Sequence, residues 1–214
     1  SVYRQTYKNY EVILVYNDKN EDDFNFIKNY LKKFPKHKII KNPKPGAGVS
    51  RNLGIKISSG KFLAFLDSDD LWRKDKLTKQ INYMIKKNIL VSHTSYKVID
   101  EKKFFLYTRQ ARHLEYSDLL KSCDIGLSTV IIKRNSKLKL NFPPLKTKED
   151  YVLWLKISKL GYKFHGLSLP LVSWRKTKNS LSSSFAQKLL DGFRVYNIYE
   201  GKTKISSLIN LLYL

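Results

Sequence analysis

Lys61-Phe62-Leu63-Ala64-Phe65-Leu66-Asp67-Ser68-Asp69-Asp70 is the stretch whose reading decides the fold of this chain. Gly60 precedes an apolar run from Phe62 to Leu66, and three carboxylates close it. A short, continuous apolar run bounded in this way predicts a buried strand of the kind found in parallel sheets. Ligands of open α/β sheets bind beyond the carboxyl ends of the strands. Carboxylates crowded there repel one another unless a proton or a cation compensates them. Oxygen-only ligands suit a hard divalent ion, which in turn holds phosphates. The competing reading is a helix cap, in which Asp69 or Asp70 opens a helix starting near Leu71. One aspartate would be enough for a cap.

Outward from this strand the pattern alternates. Upstream, Glu11–Tyr16 reads as a strand and Asn17–Asp23 as a polar loop. A helix is then expected over about Asp22–Phe34, with Phe24, Ile27, Tyr30, Leu31 and Phe34 on one face and Pro35 as its stop. Ile39-Ile40 is a short strand, Pro43 to Gly48 a loop, and Val49–Ser58 a helix. Downstream, Arg73–Asn88 reads as a helix with Leu77, Ile81, Met84 and Ile85 inward. Strand and helix in this order predict an α/β fold with a mainly parallel, doubly wound sheet. The second half is less regular. Strands are expected at Ile89–Ile99, Phe104–Thr108 (pairing with the former), Thr129–Lys133 and Leu167–Trp174. Helices are expected at Lys148–Leu160 and Ser184–Tyr199, and Ile205, Leu208, Ile209 and Leu212 form a last amphipathic stripe.

The 214 residues carry 41 Lys and Arg against 18 Asp and Glu, a formal charge of +23. An excess of this size favours anionic partners: nucleotides, nucleic acid or an anionic membrane surface. Lysines spread evenly over solvated helix faces are the plainer source of the same number. Hydrophobic content of 42% excludes a disordered chain. The single cysteine, Cys123, excludes internal disulfides and fits a reducing compartment. Four scattered histidines have no zinc-ligand spacing. No apolar run reaches the roughly 18 residues of a membrane span, and there is no signal peptide, so a cytoplasmic protein, or a fragment of one, is expected.

Pro45-Gly46-Ala47-Gly48-Val49-Ser50-Arg51-Asn52 lies between a strand and a helix, where glycines let a backbone approach a phosphate. Arg51 stands where a dinucleotide fingerprint has its third glycine, and its guanidinium suits a forked contact with a diphosphate. A plain turn is the alternative.

Taken together, Ser1 to Val15, Gly48-Val-Ser-Arg-Asn-Leu-Gly-Ile55 and Gly60 to Trp72 resemble the family 2 glycosyltransferases. So do Lys148-Glu149-Asp150-Tyr151-Val152-Leu153-Trp154 and Pro170-Leu-Val-Ser-Trp-Arg175 with Ser180-Leu-Ser182. The resemblance implies a GT-A fold and an inverting transfer of sugar from a nucleotide-sugar, usually UDP-linked, in bacterial surface-glycan synthesis. Asp67 and Asp69 match the family's Asp-x-Asp pair for Mn2+ or Mg2+, with Asp69 the direct metal ligand and Asp67 nearer the ribose. Asp150 matches the general base; helix capping beside Glu149 is the structural alternative. Arg51 and Arg175 match basic residues near the nucleotide diphosphate. The family's pair of nucleoside-contacting aspartates is replaced by Tyr16 and Asn17, so Asn17 or Asp18 is expected to meet the base. The family's first strand should precede Ser1, and Ser1–Tyr7 reads as the tail of the helix after it. Residues 1–183 are then the catalytic domain, with a nucleotide-binding part to about 90 and an acceptor-side part beyond. Residues 184–214 form a helical appendage. Its stripe docks on an anionic bilayer beside a lipid-linked or glycan acceptor, or packs as a dimer helix. The acidic cluster argues against a basic nucleic-acid-binding module, and a catalytically inactive relative is the remaining alternative.

Overall fold

The computed structural model describes residues 1–34, 36–44, 46–177 and 184–213. β1 (Val12–Tyr16), α1 (Glu21–Leu31), β2 (His37–Lys41) and α2 (Ala47–Ile57) come first, and β1 pairs with β2 in parallel. β3 (Phe62–Ala64), β4 (Leu71–Trp72), α3 (Lys76–Lys86), β5 (Val91–Ile99) and β6 (Phe105–Arg109) follow. After α4 (Tyr116–Leu119) come β7 (Ile131–Lys133), α5 (Glu149–Lys159), β8 (His165–Arg175) and α6 (Phe185–Arg194). A π-helical turn, Val195–Tyr199, leads to α7 (Lys204–Leu211). The second sheet has the order β3-β7-β5-β8-β4, with β6 on β5.

The α/β architecture agrees with the alternation of the first half, and the two longest described ladders, β1–β2 and β5–β8, are parallel. The others are antiparallel, because β5 and β6 form a hairpin and β3, β4 and β7 are two- or three-residue strands without a helical crossover to set a parallel partner. The sheet is also split. Glu11, next to β1, accepts the N–H groups of Ser59 (2.6 Å) and Gly60 (3.1 Å), so β1 and β3 start side by side. No described strand pairs between them. Of the buried parallel strand expected at Phe62–Leu66, only Leu63 is fully buried and β3 runs antiparallel to β7; Phe62, Phe65 and Leu66 are half-buried and Ala64 is exposed.

The main core lies where α5 crosses the sheet, from Tyr151 to Leu155 and Ile157 against Val130, Ile132 and Phe164. Trp154 sits edge-on to both Phe142 and Phe164. A second core packs α3 on Trp72, Ile131 and Val172 through Leu77, Ile81 and Met84. Ile85, expected inward, is exposed at the rim of that stripe. Lys76 and Gln80 are buried instead. The Lys76 ammonium donates to Gln80 Oε1 (2.9 Å) and lies 4.3 Å from the centre of the Trp72 ring, and burial pushes it down to about 7.

α1 buries only Leu31 of its expected face, and Tyr30 is exposed. Its proposed stop, Pro35, lies outside the described residues, as do Pro45 and Ser180–Ser182. The C-terminal helices join the main core. Val195 and Tyr196 are fully buried, and buried Asp191 accepts both the N–H and the hydroxyl of Thr147 at 3.0 Å.

Candidate active site

The carboxylate turn is not a helix cap. After Asp70 the chain enters β4, and α3 begins only at Lys76, behind Asp75. Asp70 N–H donates to Asp67 O (3.1 Å), closing the turn, and its carboxylate is folded inward. Asp70 Oδ1 accepts the Arg175 N–H at 2.9 Å, while Oδ2 is buried without a hydrogen-bond partner. Burial pushes the Asp70 carboxyl up to about 7, with the nearby charges of Asp67 and Asp69 adding and the Ser128 hydroxyl and Arg175 N–H opposing. Arg175 also donates from Nε to Asp69 O (2.8 Å), so this arginine holds the turn. Ser128 holds it from below: its Oγ accepts the Asp67 N–H (3.0 Å), and its carbonyl accepts Trp72 Nε1–H (2.8 Å). The carboxylate of Asp69 is left facing solvent, with that of Asp67 partly exposed beside it.

Arg51 is delivered by α2. A Cβ on Gly48 would stand 2.9 Å from Pro143 O and 3.2 Å from Phe142 Cβ, so glycine there permits close helix packing. Asn52 locks the same contact, donating to Phe142 O (2.9 Å) and accepting from Phe142 N–H (2.8 Å). The Arg51 guanidinium then reaches two carboxylates: Nη2 lies 2.8 Å from Asp67 Oδ1, and Nη1 pairs with Glu149 Oε1. Its side chain is 17% exposed and that of Glu149 9%. The forked contact expected for a diphosphate is thus made to two acidic side chains.

Lys148, in the left-handed region (φ 66°), turns the chain into α5 and offers no side-chain cap. Glu149 is committed to Arg51. Asp150, half-buried beside it, accepts the N–H of its neighbour Tyr151 (2.8 Å). Burial first, and then the charge of Glu149, push the Asp150 carboxyl up to about 6; Arg51 opposes this and Asp67 adds to it. The structure therefore brings Arg51, Asp67, Glu149 and Asp150 into one electrostatic cluster, with Asp69 on the adjoining turn and Arg175 holding that turn from the end of β8. Asn17 and Asp18 stand apart at the end of β1. Both are exposed, and Asp18 accepts the N–H of Asn20 (3.0 Å), the residue that caps α1.

Sequence reasoning missed three members. Glu149 was visible only as the neighbour of Asp150, Asp70 only as one more carboxylate, and Ser128 carried no sequence signal. The described residues contain no group of three or more His, Cys, Asp or Glu placed to hold an ion unaided.

The sequence profile described as Glycosyl transferase family 2 matches residues 1–141. The chain belongs to that family. Its relatives in the family include an Escherichia coli protein, WfaP, named as a UDP-Glc:alpha-D-GlcNAc-diphosphoundecaprenol beta-1,3-glucosyltransferase. It is 34% identical over 192 residues, covering 89% of this chain and 75% of WfaP. WfgD of the same organism, with the same named reaction, is 39% identical over 160 residues, 74% of this chain and 62% of its own. Among solved structures, S. aureus TarS residues 1–349 in complex with UDP-GlcNAc superimposes with a TM-score of 0.75 at 18% identity. That match covers 98% of this chain and 64% of TarS 1–349, and it shows the GT-A fold of the family. The chain thus spans between about three-fifths and three-quarters of the length of these relatives.

Proposed function

We propose that this family 2 chain transfers a sugar, with inversion, from a UDP-sugar to a lipid-linked glycan acceptor in bacterial surface-polysaccharide synthesis. The observation that carries the reading is Arg51 tying Asp67, at the end of β3, to the Glu149–Asp150 pair that opens α5. On this reading a donor-side and an acceptor-side carboxylate share one guanidinium. The named reaction of WfaP and the UDP-GlcNAc complex of TarS support the donor and acceptor classes.

Asp150 is the general base. With its carboxyl near 6 it is mostly ionised at neutral pH, yet basic enough to take the acceptor hydroxyl's proton as that oxygen attacks. Asp69 and Asp67 would hold Mn2+ or Mg2+. The fit rests on the outward carboxylate of Asp69 and on the partly exposed carboxylate of Asp67 two residues before it. One or two carboxylates completed by substrate phosphates is the usual arrangement for such an ion. When bound, it would neutralise the charge of the departing diphosphate. Asn17 or Asp18, exposed at the end of β1, would meet the nucleobase.

Calorimetric titration with UDP tests this reading. Binding in the presence of Mn2+ and its loss in EDTA are expected; absence of nucleotide binding under both conditions overturns it.

No helix of the described residues is long and apolar enough to cross a membrane. Contact with the inner face of the membrane is proposed through α7, where Ile205, Leu208, Ile209 and Leu212 are exposed at helical spacing and Lys202 and Lys204 adjoin them. Flotation with phosphatidylglycerol vesicles should fall when residues after Gly201 are removed. Equal flotation removes the idea.

A further inference from the structure

Beyond the carboxylate cluster, a cleft of about 480 Å³ is lined by Ser1, Arg4, Leu71, Trp72, Lys74 and Lys103. This is within the range of small-ligand sites. Three cations line it and no carboxylate does. Among the described residues the side chains of Arg4, Lys74 and Lys103 make no ion pair (the twelve ion pairs lie elsewhere). Such a cleft selects an anion.

The cations are positioned by the fold. Fully buried Gln5 donates to Arg73 O (2.8 Å) and accepts the Leu77 N–H (3.1 Å), and Thr6 N–H donates to Lys74 O (2.8 Å). Arg4 is thereby held beside Lys74. Lys103 comes from the β5–β6 turn, where it adopts φ 69° and donates its N–H to Asp100 O (3.0 Å). Asp100 Oδ1 accepts the N–H of Phe104 (2.8 Å), fixing the turn.

From that turn runs an apolar segment with no cover. Phe104, Phe105, Leu106 and Tyr107 are all exposed, Phe105 at 58%, and alternating side chains leave both faces of β6 open. An exposed apolar edge strand is an association hazard unless an apolar partner meets it. The Lys97 ammonium lies 5.9 Å from the centre of the Phe105 ring and Lys102 and Lys103 precede the segment in the chain, so a partner with negative charge as well as hydrocarbon suits it. The cleft floor, Leu71-Trp72, follows Asp69-Asp70 directly, and Lys176 N–H bonds Ile99 O (2.9 Å) where the hairpin begins. Cleft and hairpin therefore flank the transfer centre.

We infer that this is the subsite for the lipid carrier of the acceptor: a polyprenyl diphosphate binds with its phosphates among Arg4, Lys74 and Lys103 and its hydrocarbon along Phe104–Tyr107. The inference rests on the proposed transfer to a lipid-linked acceptor and adds where the carrier sits. Farnesyl diphosphate, inorganic pyrophosphate and farnesol are titrated in EDTA, which silences the carboxylate site. Farnesyl diphosphate is expected to bind at least about tenfold more tightly than pyrophosphate. Lys74→Glu with Lys103→Glu should weaken it roughly tenfold or more, and Phe105→Ser with Tyr107→Ser should reduce it to the pyrophosphate level. If the charge-reversed protein melts early, Lys74→Gln with Lys103→Gln carries the same test. Unchanged affinity in folded charge variants overturns the inference, as does equal binding of farnesyl diphosphate and pyrophosphate, or none. A parallel UDP titration in Mn2+ reports on the transferase reading alone. Its failure leaves the carrier result to be judged from the farnesyl diphosphate data.

Discussion

Replacing Arg51 by methionine separates a structural pair from a decorative one. The substitution keeps length and removes the charge. Glu149 is 9% exposed and Arg51 17%, so their contact is a buried ion pair. Removing one partner of such a pair strands the other charge and costs about 3–5 kcal/mol. The Asp67 half is 39% exposed on the carboxylate side, and screening limits it to about 0–1 kcal/mol. A loss of about 3 kcal/mol or more is expected, which at about 2–4 °C per kcal/mol lowers the melting temperature by roughly 6–12 °C. Arg51→Met with Glu149→Met should recover most of it, because the Glu149 carboxylate is then no longer buried unpaired. Thermal melts of the wild type, both single variants and the double variant read this directly. A fall of less than about 2 °C in Arg51→Met, or a double variant as unstable as the sum of its parts, refutes the assignment.

Other outcomes follow from the same turn and helix. With Asp150 as base, transfer should decline as pH falls through about 6, and Asp150→Asn should lower kcat by about 100- to 10,000-fold while UDP affinity stays the same. In Arg51→Met that acid limb should move upward by about one pH unit, because the opposing charge is gone. Asp70 rises from an unfolded value of 3.8 to about 7, so its folded form holds its proton longer. The stability this brings is complete below 3.8 and is lost as pH rises towards 7. In EDTA, Asp70→Asn should therefore melt higher above pH 7, by an amount worth at most about 4 kcal/mol, and match the wild type near pH 4. Ser128→Ala leaves the Asp67 N–H without its acceptor, a cost of about 1–3 kcal/mol visible in urea melts, and should weaken UDP–Mn2+ binding without moving the pH limb.

Where the fold was legible, one repeating physical signal marked it. The 3.6-residue stripe of α3, the first-half alternation and the Gly-bounded strand before Asp67 are local, and each was readable. The strand pairings were not, because a three-residue strand such as β7 chooses its partners by distant packing: Ile131 and Ile132 are buried by α3 and α5, which the local sequence does not name. Lys76 defeated the stripe for the same reason, its ammonium being satisfied by Gln80 and the Trp72 ring. In the site, residue types with a chemical signature stood out: Asp67, Asp150 and Arg51 share one electrostatic cluster, with Asp69 on the adjoining turn. The partner of Arg51 was illegible, since 98 residues separate it from Glu149 and only the docking of α2 on Phe142 brings them together.

The charge of the crevice runs against that of the molecule. In a chain of +23, Asp67, Asp69, Asp70, Glu149 and Asp150 gather around two guanidinium groups, those of Arg51 and Arg175. Arg51 is spent on Asp67 and Glu149, and Arg175 on the backbone of the turn. Burial answers part of the excess by keeping the proton on Asp70 up to about pH 7. Asp69 remains as an exposed negative charge at the mouth. A phosphate arriving alone is drawn by the outer lysines and then repelled at the turn, whereas a phosphate arriving with a divalent cation is not. On the proposed reading the same opposition separates the two anions: the nucleotide would enter with its metal, and the carrier diphosphate would find its own cations at Arg4, Lys74 and Lys103. Cation-dependent UDP binding together with cation-independent farnesyl diphosphate binding is the signature this division requires, and cation dependence of both would place the two anions in a single site.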